Sequence, residues 1–355
     1  MKKHKHLNTN GSFLFIAPHD ELSRLINEKA NLVYRQLKNL DIEKADFDAF
    51  GKYYFSNHHG GRRLFFSIQS SADIIYMSVK KINAPLGGIS FMDYGGGLGT
   101  LCLLASQLGF KQVYYNDYFE SWTNNARKIF DALHFSIADF ITGDIDAVIA
   151  YGRSNQVSFD IVASRNVVEH IYNLRDFYTK LYQSGLTTVC YATTTANYHN
   201  IAMRLKHYRY HYRLEKTLYL KQRKELLNKL RPGISSADLQ QLVKITRGRA
   251  FEDFTNAVNL YFTKQRVPPV EFLRTNTCDS ETGVWAENLL TRENYFDIIQ
   301  QAGFEADYTP GFWDTHYKYA LANFITAIFN SVIKLTGKKG YWLSPFVNVT
   351  ASKTK

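Results

Sequence analysis

The stretch ISFMDYGGGLGTLCLLASQLG (89–109) decides the fold. A mostly apolar run ends at Asp93, four glycines crowd between Gly95 and Gly99, and an apolar run from Thr100 closes at Gly109. The expected reading is a buried strand, a tight glycine turn and a helix stopped by glycine. Glycines there let the chain turn sharply and let backbone N–H groups come close to a ligand.

Outward from this unit the pattern repeats. QVYYND (112–117), DFITGD (139–144), FDIVAS (159–164) and LTTVCYAT (186–193) read as strands. Helices are expected between them over 121–133, with Ser121 as a cap, and over 167–184, ending at Gly185. Alternation of this kind predicts an α/β fold with a doubly wound, mostly parallel sheet. Before it stand a helix over 19–40, an aromatic and glycine-bearing loop over 51–63 and a helix over 63–82. After residue 198 the alternation stops. Helix is expected over 201–230, which lacks Pro and Gly and ends at Arg231-Pro232-Gly233, and again over 236–264, followed by a loop over 265–283. It resumes with a helix over 291–304, the strand FEADYT, a helix over 319–335 with Asn323, Thr326, Asn330 and Lys334 as a polar stripe, and a last strand over 342–352. The implied organisation is an N-terminal helical segment or lid (1–84), a core (85–198), a helical cap insertion (199–283) and the remainder of a seven-stranded core (284–355).

The 355 residues are 45% hydrophobic and 21% charged, which excludes a disordered chain. No apolar stretch approaches the roughly 18 residues needed to span a bilayer, and the apolar run after the basic start MKKHKH is too short for a signal peptide. Three scattered cysteines, Cys102, Cys190 and Cys278, suit a reducing, cytoplasmic setting and no zinc knuckle. The net charge of +11 is local: residues 199–249 hold 13 Lys/Arg and three Asp/Glu, so the rest of the chain is nearly neutral.

The glycine turn reads D-x-G-x-G-x-G, with the acid before the glycines. A carboxylate there repels a pyrophosphate and pairs with an ammonium group, so a nucleoside with an amino-acid tail is the ligand suggested. Asp117 ends the second strand, where an ionised acid can accept from both ribose hydroxyls. Asp144 ends the third and can accept from an adenine amino group. All three then line the carboxyl edge of the sheet, where open α/β folds bind ligands.

Over about half its length, residues 85–198 and 284–310, the chain resembles the class I S-adenosylmethionine-dependent methyltransferases, closest to the group acting on small molecules. The resemblance implies a Rossmann-like fold and S-adenosyl-L-methionine as cofactor. It implies that the loop with Asp93, Tyr94, Gly95, Gly97 and Gly99 holds the methionine end. Asp117 with Tyr118 would hold the ribose, Asp144 and Ile145 the adenine, and Asn166 would border the cofactor. Some relatives use E-x-x-E-H after the fourth strand to bind a metal. Here Asn166 replaces the first acid before Glu169-His170, so no metal is expected. His170 is the candidate general base, with Glu169 beside it; the alternative is an ordering role for His170 and a surface or helix-terminal role for Glu169. Tyr53-Tyr54 and His58-His59-Gly60-Gly61-Arg62-Arg63 fall where such enzymes lay a lid, an arginine there meeting the cofactor carboxylate. The alternative is a plain helix entry.

The basic insertion permits a solvated cap, a pocket for an anionic substrate such as a phosphorylated glycan, or a nucleic-acid or membrane patch. HYRYHYRLEKTLYLKQRK (207–224) interleaves tyrosines with cations, which suits stacking plus phosphate contact or an interfacial helix. His199, His207 and His211 lack a third ligand for a metal. The expectation is methyl transfer to a small molecule or glycan. The alternatives are an RNA methyltransferase gripping phosphates with 199–249, or a non-catalytic cofactor-binding subunit.

Overall fold

The computed structural model describes residues 12–58 and 62–353. The start MKKHKH and His59-Gly60-Gly61 of the expected lid lie outside the described residues. The chain forms α1 (Glu21–Asn39), α2 (Ala49–His58), α3 (Arg62–Ile82), β1 (Ser90–Tyr94), α4 (Thr100–Ala105), β2 (Gln112–Asp117), α5 (Glu120–Leu133), β3 (Asp139–Thr142), α6 (Ile145–Ser154), β4 (Ile161–Arg165), α7 (Leu174–Ser184) and β5 (Val189–Thr194). The insertion contributes α8 (Ile201–Leu214), a π turn (Glu215–Tyr219), α9 (Leu220–Leu230), α10 (Ser236–Ile245) and α11 (Phe251–Phe262). The core closes with α12 (Arg292–Gln301), β6 (Glu305–Pro310), α13 (Ala320–Thr336), a 3-10 turn (Gly337–Trp342) and β7 (Val347–Ser352).

The seven strands lie in the order β3-β2-β1-β4-β5-β7-β6. All pair in parallel except β7, which runs antiparallel to β5 and β6. The order reverses at the β1–β4 junction, the switch point at which such sheets open a crevice. The sheet is covered on both faces. Ile26, Val33, Ile68 and Ile75 of α1 and α3 pack with α4 and α5 on one side. Val148, Phe177, Leu181 and Ile299 of α6, α7 and α12 fill the other. The insertion carries its own small core around Leu227, Leu242 and Phe254.

Several boundaries differ from those expected. The supposed loop over 51–63 is largely helix α2. Asp48 accepts the Gly51 N–H at 2.6 Å and caps it, a signal hidden by the aromatics that follow. Ser121 caps nothing, because α5 begins a residue earlier behind Phe119. The helix expected from residue 167 begins only at Leu174. Asn166 has φ +57°, and Asn173 caps α7 by accepting from Asp176 N, so 167–173 form a turned segment. The piece over 236–264 is two helices. Gly248 breaks it with φ +74°, and a Cβ there would lie 2.4 Å from Leu273. The last strand starts at Val347, since 337–342 form the 3-10 turn. By length and composition, the run Ala320–Trp342 is also long and apolar enough to cross a membrane. Its interspersed Asn323, Thr326, Asn330 and Lys334 hid that length in the sequence.

Candidate active site

The crevice at the carboxyl ends of β1, β2 and β4 opens into a cavity of about 570 Å³. Asp93, Tyr94, Gly95, Gly97, Asp117, Tyr118, Asp144, Ile145, Asn166 and His170 all line it. Each stands there because a strand ends. Parallel strands in register deliver their last residues to one edge, and the following turn exposes them.

The glycine turn is built for close approach. Gly95, Gly97 and Gly99 have φ of +67°, +54° and +76°. At Gly97 an added Cβ would meet nothing within 4 Å, so this backbone faces open cavity. At Gly96 a Cβ would strike the Tyr115 ring at 2.6 Å, so the turn is pressed from behind. Gly99 opens α4 in the left-handed conformation.

Asp93 is only 2% exposed, and one of its oxygens accepts the Cys102 N–H at 3.0 Å, tying the strand end to α4. Burial raises its pKa to about 7, against the pull of that amide and of Arg165. A ligand ammonium is the kind of partner that would restore the anion. Asp117 accepts from Gly97 N at 2.9 Å with one oxygen and from Phe119 N at 3.1 Å with the other. It therefore pins the glycine turn while lone pairs remain for a ligand hydroxyl. Asp144 caps α6 through one oxygen, accepting from Asp146 N and Ala147 N, and is exposed to the cavity mouth. Tyr118 stacks edge-on against Phe119, and Ile145 lies buried against the other wall. Asn166 holds the turn after β4 by accepting from Thr195 N.

His170 sits in the 167–173 turn. Its Nδ1–H donates to the Trp285 carbonyl at 2.8 Å, since a carbonyl only accepts. In the neutral ring this leaves the lone pair on Nε2. The same turn is zipped to the segment that returns from the insertion. Trp285 N donates to His170 O, Asn288 N to Glu169 O, and Trp285 Nε1 to Tyr172 O. Glu169 differs from the expected role. It is 1% exposed, does not line the cavity, and burial pushes its carboxyl up. The turn's geometry sends it into the core while His170 faces the crevice, so of the two only His170 lines the cavity.

The lining groups that the sequence does not mark as site residues include Arg165, Trp122, Thr282 and Val284. Arg165 ends β4, one residue beyond the expected strand, and donates to Ser67 Oγ at 2.6 Å and to Ser70 Oγ on α3. Of the segment expected to form a lid, Arg63 is exposed and donates to Asn57 O. Trp122 of α5 packs its ring edge-on against Tyr54 at 4.6 Å, and both reach the cavity, so α2 supplies a wall. Tyr53 points to solvent. Thr282 and Val284 form the roof. Their signal was faint: a short polar segment before the core resumes.

None of the 13 basic residues of 199–249 lines the cavity. Nine are exposed. Arg223, Arg247 and Arg249 are tied to Glu215 or to backbone carbonyls inside the insertion. The histidines fasten the insertion to the core. His199 Nε2 accepts Arg292 N, His207 pairs with Glu287, and His211 bonds Thr275 Oγ1 and the Glu287 carbonyl.

Residues 92–184 match the methyltransferase domain family. No curated protein matches the chain. Among solved structures, a magnesium protoporphyrin IX methyltransferase from Synechocystis PCC 6803 with bound SAH is similar at 14% identity, covering 88% of this chain and 99% of that one (TM-score 0.41). An S-adenosylmethionine-dependent methyltransferase from Archaeoglobus fulgidus is similar at 13% identity, covering 86% and 100% (TM-score 0.38). A putative methyltransferase from Haloferax volcanii, in complex with the Trm112 activator, is similar at 10% identity, covering 90% and 98% (TM-score 0.40). Likenesses this distant carry no argument about substrate or partner. The third strand stops at Thr142, so Asp144 caps α6 instead of ending β3 as expected; the open glycine cradle, the buried acid before it, the acid ending β2 and the acid capping α6 fit the cofactor of the matched domain. Residues 92–184 thus form a methyltransferase domain on a Rossmann-like sheet, and S-adenosylmethionine is the cofactor that its site fits.

Proposed function

We propose that the enzyme methylates a small molecule bound beneath Thr282 and Val284, beside His170. The observation that carries this is the cavity itself. It is of small-molecule size, it holds both the cofactor residues and His170, and the basic insertion contributes no cation to it. Its own cations, Arg165 and Lys180, face Asp93, Asp117, Asp144, Asp146 and Asp176, and Lys180 is paired with Asp146 and Asp176. That balance favours a neutral or cationic acceptor over the anionic one expected from the overall charge.

When bound, S-adenosylmethionine supplies an electrophilic methyl group on a sulfonium. The chain's own part is to position and to keep dry. Asp93 and the glycine turn would hold the amino-acid end, Arg165 its carboxylate, Asp117 the ribose, and Asp144 with Ile145 the base. Tyr54, Trp122 and the 282–284 roof exclude water. His170, fixed by the Trp285 carbonyl, can take the proton of an acceptor hydroxyl or amine on Nε2.

A second reading rests on the outward face of the insertion, where exposed Tyr212 stands among Arg209, Arg213 and Lys216. That face would grip RNA. One experiment separates the two: labelled methyl cofactor is supplied with fractionated cell extract. Label in the low-mass fraction, falling about 10²-fold in His170→Ala with cofactor affinity kept, supports a small-molecule acceptor and the general base. Label in the RNA fraction, lost in Arg209→Gln/Lys216→Gln, overturns it.

A further inference from the structure

Helix α13 is turned the opposite way from a surface helix in water. Asn323, Thr326 and Asn330 of its polar stripe face the protein, and of that stripe only Lys334 at its end is exposed. Asn323 accepts Tyr317 N at 2.6 Å and donates to Tyr317 O, and Asn330 accepts Trp313 N at 2.7 Å and donates to Trp313 O. Thr326 and Ile333 are buried on the same side. The outward face is apolar: Leu321 is 70% exposed, Phe324 64% and Leu335 86%, with Ile325, Ile328 and Phe329 between them. A helix packed on a soluble protein normally shows the reverse arrangement. A continuous apolar face of this kind marks a docking surface.

The surroundings identify what docks. From Thr315 to Lys355 the chain contains no Asp or Glu, while Lys318, Lys334, Lys338 and Lys339 bracket the helix and are exposed. Among the described residues only Lys338 of these four is in an ion pair, with Asp307. Apolar side chains flanked at both ends by cations complement an anionic lipid surface. They would set like charges against each other between two copies of the same face. Trp342 is exposed at the end of the 3-10 turn, where an amphipathic ring suits the headgroup layer. The start of α8 continues the face. Asn200 donates to Ser344 O, the His199 ring lies 4.9 Å from Trp342, and Ile201 and Leu205 are exposed beside them.

The helix cannot thread a bilayer while these contacts hold. Asn323 and Asn330 fasten its inner face to residues 313–317, and the strands before and after it, β6 and β7, are neighbours in one sheet. We propose that α13 lies in the plane of an anionic membrane surface and docks the enzyme there through its outer face, with Trp342 and the unpaired lysines at its ends.

The test uses full-length protein and vesicles of phosphatidylglycerol with phosphatidylcholine. Wild type should sediment with them, and less with phosphatidylcholine alone. Leu321→Glu/Phe324→Glu should lower the apparent affinity at least about tenfold while melting temperature and cofactor affinity stay unchanged. Lys334→Gln/Lys339→Gln should lose most of the preference for the anionic lipid. A carbonate wash should release the bound protein. The proposal is overturned if no vesicle is bound, or if the glutamate variant binds as well as wild type. Resistance to carbonate would show a spanning helix and overturn it too. So would a dimer that the glutamate variant dissociates without any vesicle binding.

Discussion

Five aspartates, Asp93, Asp117, Asp144, Asp146 and Asp176, border one cavity at the carboxyl edge of the sheet, whereas the 13 cations of the insertion border none of it. The acids are few and each ends a strand or opens a helix. The cations are many, and those that are buried serve the insertion's own architecture. Charge gathered at strand ends is aimed at a ligand, because parallel strands deliver their termini to one crevice. Charge gathered along helices divides by helix geometry, one part exposed and one part spent on crosslinks. The total of +11 therefore says little about the acceptor, while three acids in order along 93–144 say a great deal about the cofactor.

The largest expected effect lies on the insertion's side of that comparison. Arg223 is 1% exposed, its guanidinium pairs with Glu215 in the π turn, and its Nε donates to Val243 O at 3.2 Å. Arg223→Ala leaves the half-buried Glu215 carboxylate without its main partner and should cost about 3–5 kcal/mol in urea unfolding. Replacing both partners with leucine should recover much of that loss, because an apolar pair leaves no unpaired charge. If Arg223→Ala instead keeps its stability and lowers only cofactor affinity, the cation serves the site after all and the contrast between the two regions fails.

The site's side is probed by pH. Asp93 is held up near pH 7 by burial, so at acid pH it is a neutral acid that cannot pair with an ammonium. Cofactor affinity should therefore rise with pH through about 7, by roughly tenfold between pH 6 and pH 8. Asp93→Asn should bind weakly with no such slope. Equilibrium dialysis at several pH values decides. A flat wild-type profile would reduce Asp93 to a strut that only holds Cys102 N.

These two residues also show what was legible in sequence. The strands, the glycine turn and Asp93, Asp117 and Asp144 could be read because each is announced locally, by an apolar run, a turn residue and an acid in fixed order. The 167–173 turn was read as helix, since nothing in RNVVEHIYN reveals that Asn166 takes φ +57° and that Asn173 caps the next helix. With the turn in place, His170 and Glu169 part company, one to the cavity and one to the core. Arg165, Trp122 and Val284 reach the cavity from three distant stretches, and their convergence depends on tertiary packing rather than on any local pattern. The polar stripe of α13 was visible in sequence, but not the direction it faces, because the partners of Asn323 and Asn330 are backbone groups of the preceding loop.

The smallest effect concerns the seam between the two regions. His207 of α8 is buried and pairs with Glu287, on the segment that runs back into the core beside Trp285. Burial works against a charged imidazole, yet the Glu287 carboxylate outweighs it and raises the His207 pKa above its usual 6.5. Burial likewise opposes the Glu287 anion, and His207 holds its pKa below 4.5. The histidine's contribution is then complete below pH 6.5 and is lost as pH rises through its raised folded value. The glutamate's contribution is present above 4.5 and is lost as pH falls through its depressed folded value. His207→Gln should therefore cost about 1–2 kcal/mol between these limits, and the gap to wild type should close as the solution turns alkaline. Thermal melts of both proteins across that range read it directly. A gap independent of pH would mean that His207 stays neutral, its Nδ1–H donating to the Met203 carbonyl and its ring serving only as packing, so that the insertion is fastened by shape rather than by charge.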